Sequence, residues 1–384
     1  MFSVLGHSSS FKGIMKKYDV IILGAGIAAL GCAIPLARAG KRVLVIHKKG
    51  LRGEATQASA GILDPFLEMK PGSPLLKVSL NAFAKYPAFI RSLVKMTGMK
   101  VDYDKTGMIF IARSSQDEKT LKNRFRWHRK TGVPTRWFSQ KPLKQWIKGV
   151  SPDSRSALFY PTIAKVNPRK LRLAMICLLR KLGVKFVESS RNIDLLAEKK
   201  GVQGVRDGSR TYFSPAVVNA MGSWAGKESL KGVKVPVLPV RGQILILKGN
   251  LGIPTIIHSL DGAYIVPWGR NQYLVGSTVE FAGFKPEVTN AGLRDIQNRA
   301  QAVLPQIRSL KRINAWGGLR PYPKDLLPFV GPTRVKGYYW ATGYYRSGIL
   351  IAPYVGELLA KGILAGKFPK ILQPFFPTRR KQVG

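Results

Sequence analysis

Two short apolar runs enclose a glycine-rich turn near the start of the chain. In "KYDVIILGAGIAALGCAIPLARAGKRVLVIH" (residues 17–47) both runs are continuously apolar, and the segment between them carries Ala, Leu and Ile at the spacing of a helix face. Continuous apolar runs are typical of strands buried on both faces, and a helix between two such strands makes them parallel. The pattern therefore predicts a strand–helix–strand unit in an α/β protein.

A second pattern, in which apolar and polar residues alternate, occurs in the middle of the chain. The segments concerned are "TGMIFIARS", "PVRGQILILKG", "GAYIVPWG" and "QYLVGST". Alternation with a period of two is typical of antiparallel strands, so these segments predict a second sheet. The segment "NPRKLRLAMICLLRKLGVKFVES" predicts a further helix and strand, with Asn167 as the helix cap and Pro168 at its first position.

The composition is that of a folded protein with a large core. The 384 residues are 45% hydrophobic and 10% aromatic, which excludes disorder as the main state and favours two closely packed domains. Cys32 and Cys177 are the two cysteines, and both lie in helical patterns, so we expect no disulfide framework, no metal and a reducing, cytoplasmic location. The first residues, "MFSVLGHSSSFKGI", favour either a transit peptide or a true start at Met15.

The charge is strongly unbalanced. Lys and Arg number 63 and Asp and Glu 20, which gives a net charge of +43. Such a charge attracts polyanions, so tRNA or an anionic membrane surface are candidate partners, although a basic bias of the whole proteome would give the same composition. In "KNRFRWHRK" (residues 122–130) Phe125 and Trp127 alternate with arginines, which suits nucleic-acid binding. The simpler interpretation is a solvated helix with two residues turned inward.

The glycine-rich turn fits the fingerprint of a dinucleotide-binding site. Gly24 permits the tight turn, Gly26 lets the backbone approach a diphosphate, and the small Ala29 packs the helix against the strand. The diphosphate would then lie at the positive end of the helix dipole.

The end of the second strand departs from this fingerprint. An acidic residue usually accepts hydrogen bonds from the adenosine ribose there, but "VLVIHKKG" has His47 followed by Lys48 and Lys49. A neutral imidazole can still accept one hydroxyl hydrogen bond. The basic residues would alternatively suit the 2′-phosphate of NADP.

Six further segments, in this order, resemble one known family. They are "GEATQASAGIL", "AVVNAMGSWAG", "LPVRGQIL", "GAYIVPWG", "WGGLRPYPKDLLPFVG" and "GYYRSGILIAPYVGELL". From about Lys17 onward the chain resembles the D-amino acid oxidase superfamily of FAD enzymes, most of all bacterial glycine oxidase and related amino acid oxidases. The resemblance implies a Rossmann-like, glutathione-reductase-like FAD-binding domain and a second, α+β substrate domain with an antiparallel sheet.

The resemblance also implies that the two domains alternate along the chain. The FAD-binding domain would comprise residues 15–95, 150–232 and 316–384, the last including a basic tail. The substrate domain would comprise residues 96–149 and 233–315. In this arrangement the antiparallel sheet covers the flavin, and the substrate lies between sheet and ring.

By the same resemblance FAD is bound non-covalently, because neither cysteine lies where relatives attach the flavin. Gly61 and Gly222 would let the backbone pass close to the cofactor. A long apolar helix that starts at Gly348 and Ile349 would point its positive end at the flavin and stabilise the negative charge of the reduced ring. Core packing is an additional role of that helix.

Three side chains are implied to form the catalytic site. Arg320 would pair with a substrate carboxylate, Tyr264 would hydrogen-bond the same group from the antiparallel sheet, and Arg346 would act as a second cation or a structural brace. For each arginine a structural salt bridge is the alternative. Ile62 and Gly262 stand where glycine oxidases carry other pocket residues, so substrate identity stays open.

The function implied is FAD-dependent oxidation of CH–NH or CH–NH2 donors. Glycine, a D-amino acid or an N-substituted glycine would become an imine by hydride transfer to flavin N5, with oxygen as acceptor and a link to thiamine biosynthesis. Two alternatives are an oxidase acting on carboxymethylaminomethyl-uridine in tRNA and an inactive FAD-binding protein. A quinone as acceptor and a homo-oligomer are both compatible with the sequence.

Overall fold

The computed structural model describes residues 17–66, 72–190, 192–226 and 234–379. Within these ranges the strands are β1 (Val20–Leu23), β2 (Val43–Lys48), β3 (Ile62–Leu63), β4 (Met108–Ala112), β5 (Arg136–Ser139), β6 (Ser156–Tyr160), β7 (Ala164–Lys165), β8 (Lys185–Ser189), β9 (Ile193–Glu198), β10 (Gly201–Asp207), β11 (Arg210–Phe213), β12 (Val217–Asn219), β13 (Val237–Lys248), β14 (Ile256–Ser259), β15 (Tyr264–Gly269), β16 (Gln272–Gly276), β17 (Lys311–Pro323), β18 (Phe329–Pro332) and β19 (Tyr338–Thr342). The α-helices are α1 (Ile27–Arg38), α2 (Ala55–Ala58), α3 (Pro74–Thr97), α4 (Ser115–Lys130), α5 (Gln140–Trp146), α6 (Pro168–Lys181), α7 (Asn290–Val303) and α8 (Gly348–Ala365).

A six-stranded sheet contains the predicted strand–helix–strand unit. Its order is β18-β19-β12-β1-β2-β8, and the strands are parallel except β18, which runs antiparallel to β19. All four residues of β1 are buried, because helices cover one face and the small sheet β9–β11 packs against the other. The continuous apolar runs therefore predicted the parallel strands correctly.

Helices α1, α3, α6 and α8 pack together on this sheet. Glycines bring α1 and α8 into contact, since a Cβ at Gly31 would lie 2.7 Å from the carbonyl oxygen of Ala352. The predicted cap of α6 is confirmed: the side chain of Asn167 accepts hydrogen bonds from the backbone N–H groups of Arg169 and Lys170. By length and composition α8 could cross a membrane, but 56% of its 18 residues are buried inside the protein.

The alternating segments form an eight-stranded sheet, which we call the roof sheet. Its order is β17-β13-β16-β15-β14-β4-β6-β5, and all its pairs are antiparallel except β14 with β4. Alternate residues of a strand in this sheet pack into two different hydrophobic cores. Ile109 and Ile111 face the side covered by α5 and α7, whereas Met108 and Phe110 face the opposite side.

Two strands of the roof sheet lie in ranges that the sequence predicts for the FAD-binding domain. Strand β6 falls within the predicted range 150–232 and pairs with β4 and β5. Strand β17 extends into the predicted range 316–384 and pairs with β13 from Lys311 to Pro323. The domain boundaries stay a prediction. Both strands join the sheet through hydrogen bonds to distant segments, which no local pattern reveals.

Two basic segments pack on the protein. "KNRFRWHRK" lies in α4, where Phe125 packs on Trp137 with ring centroids 5.9 Å apart and His128 is buried. Near the C-terminus Leu372 and Phe375 are buried in the helical core. The last five residues of the predicted basic tail, 380–384, lie outside the described residues.

Candidate active site

A cavity lies between the parallel sheet and the roof sheet. The parallel sheet and its helices contribute the turn Gly24–Ala28, the end of β2, residues 220–224 and the start of α8. The roof sheet contributes Tyr264, Ser277 and Arg320 among others. The topology thus brings together segments that lie up to 326 residues apart in the sequence, from Gly24 to Leu350.

The glycine turn has the geometry that its sequence predicts. Gly24 has φ +107°, and a Cβ there would lie 2.5 Å from the carbonyl oxygen of Ala220, so only glycine fits. Gly26 precedes α1 without a side-chain cap, while the N–H of Ile27 donates to the Thr56 hydroxyl at 3.0 Å. Ala29 is fully buried and does not line the cavity, consistent with a packing role.

A second helix also begins at the cavity. Gly348 and Ile349, the first residues of α8, are in the lining. The N-cap residue before them, Ser347, makes no side-chain hydrogen bond to the helix N–H groups. The hydroxyl of Tyr86 donates to the carbonyl oxygen of Ile349 at 3.0 Å and thereby anchors this turn to α3. Two helix N-termini therefore direct positive dipole ends at one cavity, which suits an anionic ligand.

Arg320 and Tyr264 meet on the cavity face of the roof sheet. The guanidinium of Arg320 lies over Gly242, where a Cβ would collide with it, and donates to Ser277 Oγ at 2.6 Å and to the Thr278 carbonyl oxygen at 3.0 Å. The ring of Tyr264 lies over Gly276 in the same way, and its hydroxyl hydrogen-bonds with Ser277. One serine thus links the two predicted catalytic side chains.

The environment keeps Tyr264 protonated. Burial raises the pKa of its phenol, and the positive charge of Arg320 and the hydrogen bond with Ser277 only partly oppose this effect. Tyr264 therefore presents an O–H donor beside a guanidinium. A cation and a neutral donor that converge in a half-buried site match the two oxygens of a carboxylate.

Known proteins share this fold. Residues 19–361 match the family model DAO, described as FAD dependent oxidoreductase. The chain belongs to this family. Glycine oxidase from Geobacillus kaustophilus is 28% identical over 94% of this chain and 97% of its own length. The bifunctional protein ThiO/ThiG from Trichormus variabilis is 27% identical over 94% of this chain, which spans 55% of that relative.

Solved structures agree with the family. The crystal structure of the Geobacillus kaustophilus glycine oxidase superimposes with a TM-score of 0.89 and 27% identity, covering 95% of this chain and 100% of that one. The fold class predicted from the sequence is therefore confirmed, with a Rossmann-like domain for FAD and a second, antiparallel domain.

The lining fits the FAD that the family uses. Gly24 and Gly26 leave a cradle that any Cβ would narrow, and the N-terminus of α1 lines the cavity there, as a diphosphate requires. The start of α8 supplies the second positive end. FAD as the cofactor follows from the family, and its non-covalent attachment stays a prediction.

His47 lies where the sequence predicts, in the cavity lining at the end of β2. Lys48 also lines the cavity, and its Nζ donates to Asn192 Oδ1 at 3.1 Å. The sequence analysis did not single out Glu54, a carboxylate that precedes α2 and lines the same cavity. The role of His47 at the ribose stays a prediction.

The two glycines expected near the flavin differ in position. Gly222 has φ +57°, lines the cavity and would meet nothing within 4 Å if it carried a Cβ. Gly61 does not line the cavity, and a Cβ there would collide with the carbonyl oxygen of Val166. Glycine is needed at position 61 because the chain before α6 passes against it, and the contact of Gly61 with the cofactor stays a prediction.

Arg346 lies at the rim of the cavity. Its side chain is exposed, and the guanidinium carbon is 5.2 Å from the centre of the Tyr345 ring. Its positive charge opposes the effect of burial, which raises the pKa of Tyr264, and this places the guanidinium near the phenol. Its role as a second cation or a brace stays a prediction.

Gly242, Gly276 and Ser277, which position the side chains of Arg320 and Tyr264, were not predicted from the sequence. A glycine inside a strand, such as Gly242 in "VRGQIL", is a signal of close approach and could have been found. Ser277 carries no comparable signal. Ile62 and Gly262, the residues that depart from the glycine oxidase pattern, both lie in the lining.

Proposed function

We propose that the protein oxidises the amine of glycine, an N-substituted glycine or a small D-amino acid to the imine. The observation that carries this proposal is the cluster of Arg320, Ser277 and Tyr264 on the roof face of the FAD cavity. The likeness of the whole chain to the glycine oxidase of Geobacillus kaustophilus supports the same substrate class.

Arg320 and Tyr264, which we call the carboxylate clamp, orient the substrate through its carboxylate. The Arg320 guanidinium supplies two N–H donors and a positive charge, and Tyr264 supplies one O–H donor. With the carboxylate held at the roof, the α-carbon points away from the roof sheet into the cavity. Orientation of this kind is the main task of the protein, because the reaction needs no nucleophile.

Hydride leaves the α-carbon while the nitrogen lone pair forms the imine double bond, so the amine must be unprotonated. Bound FAD supplies the two-electron acceptor for that hydride. The positive charges of Arg320 and Arg346 disfavour an ammonium group nearby and so favour the neutral amine. Oxygen as the final acceptor belongs to the same proposal.

Anaerobic bleaching of the flavin tests the proposal. Glycine, sarcosine, D-alanine and D-proline are mixed with the holoprotein, and at least one is expected to bleach the flavin and to yield peroxide when oxygen is admitted. Glycinamide, which lacks the carboxylate, is the matched control and should react far more slowly. Failure of all four acids, or equal rates for glycine and glycinamide, would contradict the proposal.

tRNA bearing carboxymethylaminomethyl-uridine is included because of the net charge of +43. If RNA is the substrate, bleaching should occur at low salt and fail at high salt, since phosphate contacts release counterions. Bleaching by free amino acids at both salt concentrations, with tRNA inert, supports the amino acid proposal.

A further inference from the structure

A row of residues crosses the cavity face of the roof sheet from β13 to β4. Cross-strand pairing aligns Ile244 with Gly276, Gly276 with Tyr264, Tyr264 with His258, and His258 with Phe110. Directly paired residues share a face, so His258 lies on the same side of the sheet as Tyr264. Both side chains line the cavity, with ring centroids 6.2 Å apart.

The tautomer of His258 follows from its one hydrogen bond. Nδ1 lies 2.7 Å from the carbonyl oxygen of Ser259, and a carbonyl only accepts, so Nδ1 carries the proton. Nε2 is then an acceptor. Within the described part of the chain Nε2 has no hydrogen-bond partner. It is also not one of the fully buried side-chain polar atoms that lack a partner, so some of its surface is accessible. The residue as a whole is 9% exposed and it lines the cavity, so Nε2 opens into the cavity.

The surroundings keep the imidazole neutral. Burial is the main cause that lowers the pKa of His258 to about 4, and the charges of Arg346 and Arg124 lower it further. The Ser259 carbonyl and the Asp261 carboxylate oppose this effect. The uncharged neighbours are Tyr264 and the ring of Phe110, whose centroid is 4.8 Å away. At neutral pH the ring therefore accepts a hydrogen bond and donates none at Nε2.

His258 lies beyond the reach of the amino acid part of the substrate. The Arg320 guanidinium lies over β13 and the Tyr264 hydroxyl over β16, so the carboxylate binds between these two strands. From there β14 is about two and a half strand spacings away, about 12 Å. Glycine ends short of this point. Gly262 adds room, since a Cβ there would meet nothing within 4 Å.

We propose that the cavity takes N-substituted glycines whose substituent carries a hydrogen-bond donor, such as a hydroxyl or an amide, and that His258 Nε2 accepts from it. This inference rests on the proposed function, because it places the carboxylate at Arg320 and Tyr264. An apolar substituent of the same length would leave Nε2 without a partner, and a buried acceptor without a partner is costly. His258 is thereby a specificity-determining residue.

Binding of two ether acids tests the inference without any oxidation. Hydroxyethoxyacetate and propoxyacetate replace the amine by an ether oxygen and differ in one terminal group, a hydroxyl against a methyl. Their dissociation constants are measured from the change in the flavin spectrum of the holoprotein. The parent protein should bind hydroxyethoxyacetate about tenfold more tightly than propoxyacetate.

Variants assign this preference to one residue. His258→Phe keeps an aromatic ring and should reduce the preference to less than twofold, whereas His258→Gln, which retains an acceptor, should recover part of it. His128→Phe is the matched control, because His128 is also a buried histidine but does not line the cavity, and it should keep the full preference. KM for glycine should stay within twofold in this control variant.

No preference in the parent, or a preference that persists in His258→Phe, overturns the inference. An equal loss of glycine and of both ether acids in His258→Phe also overturns it, because the residue would then be structural. If no amino acid bleaches the parent flavin, the proposed function fails, and the two dissociation constants still decide the role of His258.

Discussion

The guanidinium group of Arg320 lies over the α-carbon of Gly242 on the neighbouring strand. A Cβ at Gly242 would collide with the terminal nitrogens and the central carbon of that group. The glycine thus makes the space in which the arginine turns toward Ser277 instead of solvent. The absence of a side chain at Gly242 therefore sets the position of the positive charge of Arg320.

Gly242→Ala should therefore displace Arg320 without unfolding the roof sheet. We expect kcat/KM for glycine or the best small amino acid to fall roughly 10- to 150-fold, the value of a charge-assisted hydrogen bond of about 1.5–3 kcal/mol. Steady-state kinetics with FAD content checked by absorbance measure it. Gly269→Ala is the control, since a Cβ at that roof position would lie 3.9 Å from its nearest neighbour. Equal effects of both variants would show that the cost is general to the sheet.

Arg320→Leu should remove the carboxylate clamp but leave the fold and the yellow colour. Loss of about 2–5 kcal/mol of binding corresponds to a roughly 30- to 5000-fold fall in kcat/KM. Arg320→Lys should recover only part, because an ammonium cannot make the bidentate pair. An amide substrate, poor with the parent, should lose little further in Arg320→Leu. Loss of FAD, or unchanged flavin reduction, would mean that Arg320 is structural.

His47→Glu should retain or tighten FAD binding. A carboxylate accepts from both ribose hydroxyls, whereas a neutral imidazole accepts from one. The measurement is the dissociation constant of FAD from apoprotein, followed by fluorescence, with His47→Leu as the variant that accepts none. If His47→Glu abolished FAD binding, the histidine would have a different role from the one predicted.

Stability should fall as the pH drops from about 6.5 to about 4. Burial lowers the pKa of His128 to about 4, so the folded protein keeps this ring neutral while the unfolded chain takes up a proton below its ordinary pKa of 6.5. The unfolded state binds more protons in this window, and the free energy of unfolding therefore decreases with decreasing pH. His258, with its pKa also lowered to about 4, adds to the same loss.

The thermal midpoint of the holoprotein, measured between pH 7 and pH 4, tests this. His128→Phe should make the decrease shallower, because its ring cannot be protonated and Nδ1 of His128 has no hydrogen-bond partner among the described residues to lose. An unchanged slope would show that protonation of His128 does not contribute to the decrease. Carboxylates with lowered pKa, such as Asp19 beside Arg42, lose their contribution at lower pH.

Local features of the fold were predictable from the sequence. The turn at Gly24 and the start of α6 at Asn167 depend on backbone angles and on N–H groups within a few residues, so their residue types reveal them. The parallel strands were equally clear, because burial on both faces leaves a continuous apolar run. Family motifs added the cavity residues Tyr264 and Arg320.

Only the tertiary structure decided what depends on pairing between distant segments. Strands β6 and β17 join the roof sheet through partners far away in the chain, so their sheet could not be inferred from their own pattern. Gly61 is glycine because Val166 passes against it, more than a hundred residues later. The place of Arg320 over Gly242 and that of His258 beside Tyr264 likewise follow from strand register, which hydrogen bonds between strands set and neither segment encodes alone.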